Sequence, residues 1–259
     1  SGEHGWIHFR GAETGSTRDD GYSDLGLHFR ASAGVSYGFD RGSINISAIL
    51  TDNPGYRDWE WNNKEQINLS VNYSGKRGGN HTIMMGHYNG DWALPGAIKQ
   101  VQVDTLPTAS PGINHNAHVS RQRDVVGHKY NVKLPSGWEI HTSFLGRITD
   151  KKNPYGTSDS YNGYKEEFGY GFSILCSLDK RLVEKENWDL DFDLTVMHIN
   201  DYINLVEWED EPSQLTVVIP KRYDLVLRVD NTFISTSWIF TKGDDLRIEA
   251  QMGLSNRNR

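Results

Sequence analysis

A single cysteine, Cys176, leaves this 259-residue chain no internal disulfide to staple a small core. It sits in an apolar run, Phe172-Ser173-Ile174-Leu175-Cys176, which marks it as a buried or membrane-facing thiol rather than a reactive one. No apolar run approaches the ~20 residues of a membrane-spanning helix, so a helical membrane protein is excluded. A membrane β-barrel is not, because its strands hide their apolar face in alternation; for the same reason the mean hydropathy of -0.63 decides nothing. Positive charge is scarce. With 27 Lys and Arg against 34 Asp and Glu the net charge is -7, and no basic stripe points to nucleic acid. A Gly-x-Ser-x-Gly elbow, a His-Glu-x-x-His pair and a phosphate loop are also missing, so no catalytic residue, metal or cofactor is assigned. No signal peptide precedes Ser1, which is read as processing or as a piece of something longer.

What the chain has is alternation. Gln66-Ile67-Asn68-Leu69-Ser70-Val71-Asn72-Tyr73 switches between polar and apolar without an error, the period-2 pattern of a strand with one wet and one apolar face. A Gly-rich turn, Ser74 to Asn80, leads to a return strand, His81 to Tyr88, and then to a long polar loop, Asn89 to Asp124. The rest repeats this unit. Gly5 to Arg10 is a strand and Gly11 to Asp24 a polar loop. Leu27 to Tyr37 and Ile44 to Leu50 flank a tight turn at Phe39-Asp40-Arg41-Gly42, with a loop from Asp52 to Lys64 beyond. Val126 to Leu134 and Trp138 to Phe144 flank Pro135-Ser136-Gly137. Arg147 to Glu166 is a long loop, Phe168 to Ile174 a strand, and Ser177 to Asn187 a polar connection. Trp188 to Val196 alternates as cleanly as the first stretch. A loop from Asn200 to Arg222 carries the acidic run Glu207-Trp208-Glu209-Asp210-Glu211, read as a solvated surface. Tyr223 to Phe240, a turn at Lys242-Gly243-Asp244-Asp245, and Leu246 to Met252 complete the chain.

The count is about eleven strands, with connections that alternate long and short. Alternating strands also build soluble sandwiches. The order of connections is what a membrane barrel requires, with short turns on one rim and long loops on the other. The fold expected is therefore all-β, an antiparallel up-and-down transmembrane β-barrel. Ile67, Leu69, Val71, Leu190, Phe192 and Leu194 should face lipid, and Asn68, Ser70, Asp191 and Asp193 the lumen.

Four stretches resemble the barrel of TonB-dependent outer-membrane receptors: Gly5 to Tyr22; Ser47 to Asp58 with Gly55-Tyr56-Arg57; Asn62 to Tyr88; and Trp92 to Gln100 with Leu94-Pro95-Gly96-Ala97. The resemblance implies a barrel of ~22 strands with a plugged lumen. Residues 1–259 are then one partial barrel domain, the N-terminal half, with the plug and the part that contacts TonB missing. It implies a receptor in the outer membrane of a Gram-negative bacterium, in contact with outer-membrane lipid. Such a receptor imports a metal chelate of siderophore type, or a similar nutrient, with energy delivered through TonB. No enzyme and no nucleic acid belongs to this reading. The alternatives are a soluble all-β carbohydrate-binding or glycan-active domain, with exposed tryptophans stacking on sugars, and a passive porin-like channel.

The candidate ligand-binding residues lie in and beside the third loop: Trp92, His115, His118 and Arg121. Two imidazoles three apart can meet a metal or haem iron, and aromatic and Arg side chains grip ligands in such sites. Tyr88, Trp59 and Trp61 are assigned to the interfacial aromatic girdle. Leu94-Pro95-Gly96 should stiffen the entry to the loop.

Overall fold

The computed structural model describes residues 3–17, 23–55, 59–76, 78–94, 96, 105, 117–158, 161–185, 187–209, 221–242 and 246–258. They form eleven strands: β1 (Glu3–Thr17), β2 (Ser23–Phe39), β3 (Gly42–Asn53), β4 (Asn62–Ser74), β5 (Asn80–Ala93), β6 (His118–Lys133), β7 (Trp138–Ser158), β8 (Tyr161–Lys185), β9 (Trp188–Trp208), β10 (Lys221–Lys242) and β11 (Leu246–Asn258). All belong to one sheet, each paired antiparallel with its neighbours in chain order, so β1 and β11 are its two edges among the described residues.

The register sorts the side chains into two faces. Ile46 lies opposite Val35 and Leu69, and Leu69 opposite Met85. Leu194 lies opposite Leu178 and Thr236. On the other face Ser47 meets Asn68, Asn45 meets Ser70, and Asp193 meets Asp179 and Ser237. Exposure follows the same alternation with its sign reversed from that of a soluble protein. Along β8 the apolar Phe168, Tyr170, Phe172 and Ile174 are exposed, and Gly171 between them is buried. No large side chain is fully buried among the described residues. A soluble sandwich hides its apolar face against a second sheet; this single layer presents it outward, and its polar face is the half-buried one. That is the arrangement of a transmembrane barrel wall.

Connections after β2, β4, β6, β8 and β10 fall at one rim, where the expected turns at Asp40, Lys76 and Ser136 lie; Gly243 is outside the described residues. Aromatic rings gather at this rim. Tyr37 stands 6.5 Å from Phe39, His81 4.5 Å from Tyr130, Trp138 6.1 Å from Phe192, and Trp188 5.7 Å from Phe240. Lys180 Nζ sits 5.0 Å over the Trp138 ring. Amphipathic rings with a cation reaching past them suit a membrane–water boundary.

At the other rim the strands outrun their expected ends. The loop assigned to Arg147–Glu166 is a hairpin, because β7 continues to Ser158 and β8 starts at Tyr161. At the rim of the short turns, too, the connection assigned to Ser177–Asn187 is mostly strand, because β8 runs to Lys185. Likewise β9 reaches Trp208, β5 reaches Ala93, and β6 begins at His118. Lys151, Lys152, Asn153, Lys165, Glu166 and Glu167 put polar groups on both faces of the β7–β8 extension, so the alternation that marks a strand fades there while the ladder continues. Cross-strand charge pairs support it: Arg147–Asp201 at 2.9 Å and Lys151–Glu167 at 3.7 Å.

The acidic run is likewise more than a solvated loop. Glu207 is 3% exposed and lies in β9. Its carboxylate accepts from the Tyr155 hydroxyl and lies 3.3 Å from both Arg222 and Lys165. Arg222 is the extra residue where the β9–β10 register slips between Lys221 and Tyr223, and its Nη1 also donates to Tyr155 at 3.0 Å. Burial raises the Glu207 pKa, but hydrogen bonds from Tyr155, Tyr223, Lys165 and Arg222 outweigh it and hold the carboxyl down at about 2. A depressed carboxyl stabilises the fold above its unfolded pKa near 4.5 and loses that contribution as pH falls through about 2. Glu207→Gln is expected to speed amide exchange in the outer ends of β8–β10 at neutral pH, by on the order of 2 kcal/mol in local opening. It should also flatten the acid dependence between those two pH values. Unchanged exchange, or an unchanged acid profile, would mean the charge is not what ties these strands.

Candidate functional site

The inner, polar face carries a pair of neighbouring arginines whose Nε atoms have no partner among the described residues. Arg121 and Arg123 project from β6 on the same face as Trp92, Tyr88 and Gln66, since Trp92 pairs with Val119, Gly90 with Arg121, and Tyr88 with both Arg123 and Gln66. Gly90 is required here: a Cβ at that position would collide with the Tyr88 hydroxyl, which lies over it beside Arg121. The Nε atoms of Arg121 and Arg123 are buried and unbonded among the described residues. Three other inner-face arginines differ. Arg147 meets Asp201 at 2.9 Å, Arg181 meets Asp191 at 2.9 Å, and Arg222 meets Glu207 at 3.3 Å. Arg121 instead faces Lys151 across the β6–β7 ladder, a like-charge pairing that costs stability.

In front of the two arginines is a cavity of about 540 Å³, lined by Gln66, Asn68, Tyr88, Arg121 and Arg123, with Met84, Val125 and Leu145 beneath. Gln66 donates to Asn68 at 3.1 Å and Asn68 to Ser47 at 3.4 Å, so the amide side of the cavity is held in place. Its size suits a small-molecule ligand. Two guanidinium groups beside an aromatic ring suit a ligand with carboxylates or other anionic oxygens.

The structure brings Trp92 and Arg121 together and separates His118 from them. His118 opens β6 on the opposite face, with its ring 5.9 Å from Trp61, and its charge acts on Asp91, whose pKa burial raises and His118 lowers. His115 lies outside the described residues, so the two-imidazole pair is not placed. Among the described residues no group of three or more His, Cys, Asp or Glu side chains is arranged to hold a metal. Tyr88 belongs to the inner face and not to a girdle. Trp59 and Trp61 form an edge-to-face pair 6.1 Å apart, and Trp59 Nε1 donates to the Ala117 carbonyl at 2.8 Å, tying the β3–β4 loop to the start of β6. Gly96 has φ 70°, so the Leu94-Pro95-Gly96 bend uses the glycine it needs, while Pro95 itself is not described. Arg123 and Gln66 were missed in the sequence. Their signal was parity, since Arg121 and Arg123 are two apart and share a face once β6 is extended to His118.

No protein-family model and no curated protein matches the chain. Solved structures do. The ferric citrate transporter FecA in its unliganded form matches with a TM-score of 0.76 at 10% identity, over 98% of this chain and 38% of FecA. The ferric-catecholate import receptor Fiu of E. coli K12 matches with 0.67 at 10%, over 97% and 44%. BauA, the ferric preacinetobactin receptor of Acinetobacter baumannii, matches with 0.65 at 9%, over 99% and 42%. The chain thus spans less than half the length of each of these proteins. At this identity the likeness is one of fold, and the fold is that of a TonB-dependent receptor barrel.

Proposed function

We propose that residues 1–259 are a partial barrel domain of an outer-membrane receptor of a Gram-negative bacterium. The receptor imports an anionic metal chelate of siderophore or citrate type, with energy delivered through TonB by a part outside this chain. The observation that carries the ligand class is the uncompensated Arg121–Arg123 pair beside Tyr88 and Trp92 on the inner face, at the rim of the longer connections. The function is capture and transport, without catalysis. A soluble glycan-binding domain is disfavoured by the outward apolar face, which water would leave uncovered.

The test is direct binding by the complete protein in detergent, read by tryptophan quenching, with ferric citrate and with a neutral and a cationic iron chelate as probes. The anionic chelate is expected to bind at least about tenfold tighter than the other two. That preference should shrink as salt rises, as charge-led recognition does. Equal binding of all three, or none, would sink the ligand class. Accumulation of the anionic chelate by cells lacking TonB would instead favour a passive channel.

A further inference from the structure

Met84 and Leu145 stand on the inner face, yet they are apolar and 47% and 42% exposed. They meet across Gly127 in one ladder row, Met84–Gly127–Leu145. The glycine brings them together. A Cβ on it would stand 3.3 Å from the Met84 methyl and 3.5 Å from a Leu145 methyl, so both side chains lean in over bare backbone. With Val125, the next inner residue along β6, they make a small apolar shelf. The row ends in serine on both sides, Ser70 on β4 and Ser173 on β8. The row nearer the short turns is Thr82, Lys129 and Ser143. The next apolar residues of this face, Leu175, Met197 and Ile199, belong to β8 and β9.

The shelf and the arginines border one cavity. Arg121, Arg123, Val125 and Gly127 follow one another along the inner side of β6, each ~7 Å from the next. Met84, Val125, Leu145, Arg121 and Arg123 all line the same volume of about 540 Å³. A molecule in it meets cations at one end and an apolar surface at the other. We propose that the shelf receives an aromatic ring, so that the ligand is an aryl chelate of phenolate or catecholate type. The ring lies on Met84, Val125 and Leu145, and the anionic oxygens it carries face Arg123 and Arg121. Charge complementarity fixes the anionic end. The apolar end is fixed by what the shelf is made of. Met sulfur and Arg guanidinium planes both favour aromatic faces. A shelf one row deep, closed by Ser70 and Ser173, fits a ring and stops a longer alkyl chain. A wholly polar anion would leave Met84 and Leu145 uncovered. This assignment rests on the anion-binding reading above and narrows its ligand class.

The test is calorimetric titration of the complete protein in detergent with the tris-catecholate and tris-oxalate complexes of iron(III), in mildly alkaline buffer with excess ligand. The two complexes carry the same charge and the same oxygen donors, and only the first has rings. Wild type is expected to bind the catecholate complex at least about tenfold tighter. Met84→Gln with Leu145→Gln should bring the two affinities within about threefold of each other and leave oxalate binding as it was. Glutamine at these exposed inner positions meets water, and Gly127→Val, which parts the two side chains, is a second variant that should act in the same direction. Met197→Gln, on the same face but outside the cavity, should keep the full preference. Equal affinity of wild type for the two complexes would overturn the shelf and leave the anion site standing. So would a preference that survives both shelf variants, or one that Met197→Gln removes as well. Binding of neither complex would overturn the anion site and the shelf together.

Discussion

Ile46→Arg is expected to stop the complete protein from assembling in a bilayer, while Asn45→Arg, one residue away, is expected to assemble normally. Ile46 is 48% exposed on the outer face, with Val35 and Leu69 as its ladder neighbours, so an arginine there has only hydrocarbon around it. A cation on the lipid face of a barrel costs ~2–4 kcal/mol near the midplane, a large part of a typical folding free energy. Asn45 points to the other side, between Ser36 and Ser70, and accepts a hydrogen bond from Ser36 at 2.7 Å. An arginine there meets water. The measurement is the folded fraction after transfer into phospholipid vesicles, read as the fast-migrating unheated band on a gel. Equal folding of the two variants would contradict the assignment of faces, and so would an Ile46→Arg chain that folds in buffer without lipid or detergent.

Arg121→Gln combined with Arg123→Gln should abolish most ligand capture without weakening the barrel. Each lost charge-assisted hydrogen bond costs ~1.5–3 kcal/mol, so two together predict a loss of roughly a hundredfold or more in affinity for the anionic chelate. The salt dependence of binding should flatten with it. Stability should hold or rise slightly, because Arg121 faces Lys151 and both Nε atoms are buried without a partner. That opposition separates a binding role from a structural one. Trp92→Ala alone should cost about tenfold, as an aromatic anchor at the edge of such a site does. Unchanged affinity in a double variant that assembles would move the binding surface elsewhere in the complete receptor.

The barrel wall was legible wherever one side of the sheet meets lipid. Gln66 to Tyr73 and Trp188 to Val196 alternate because hydrocarbon tolerates only apolar side chains and the lumen admits polar ones, and both stretches became strands. Legibility stopped where both sides of the sheet meet water. Thr149 to Lys152 and Lys165 to Glu167 have no apolar face to display, yet their backbone pairs on through β7 and β8. In the candidate site, Trp92 and Arg121 were singled out as residue types suited to gripping ligands, and the register places them on one face. Tyr88 was assigned to the wrong side, because one residue of register decides whether a ring faces lipid or lumen.

The sequence by itself thus determined the strand count, the alternating faces and the transmembrane class, since all three follow from a side-chain period that the solvent on each side imposes. Only the tertiary structure decided which charges are left over. Lys165 and Arg222 are distant in the chain and meet at the Glu207 carboxylate through the register of β8 to β10. Arg121 and Arg123 meet no such partner among the described residues, because pairing across strands, and not position along them, determines which charge stands beside which.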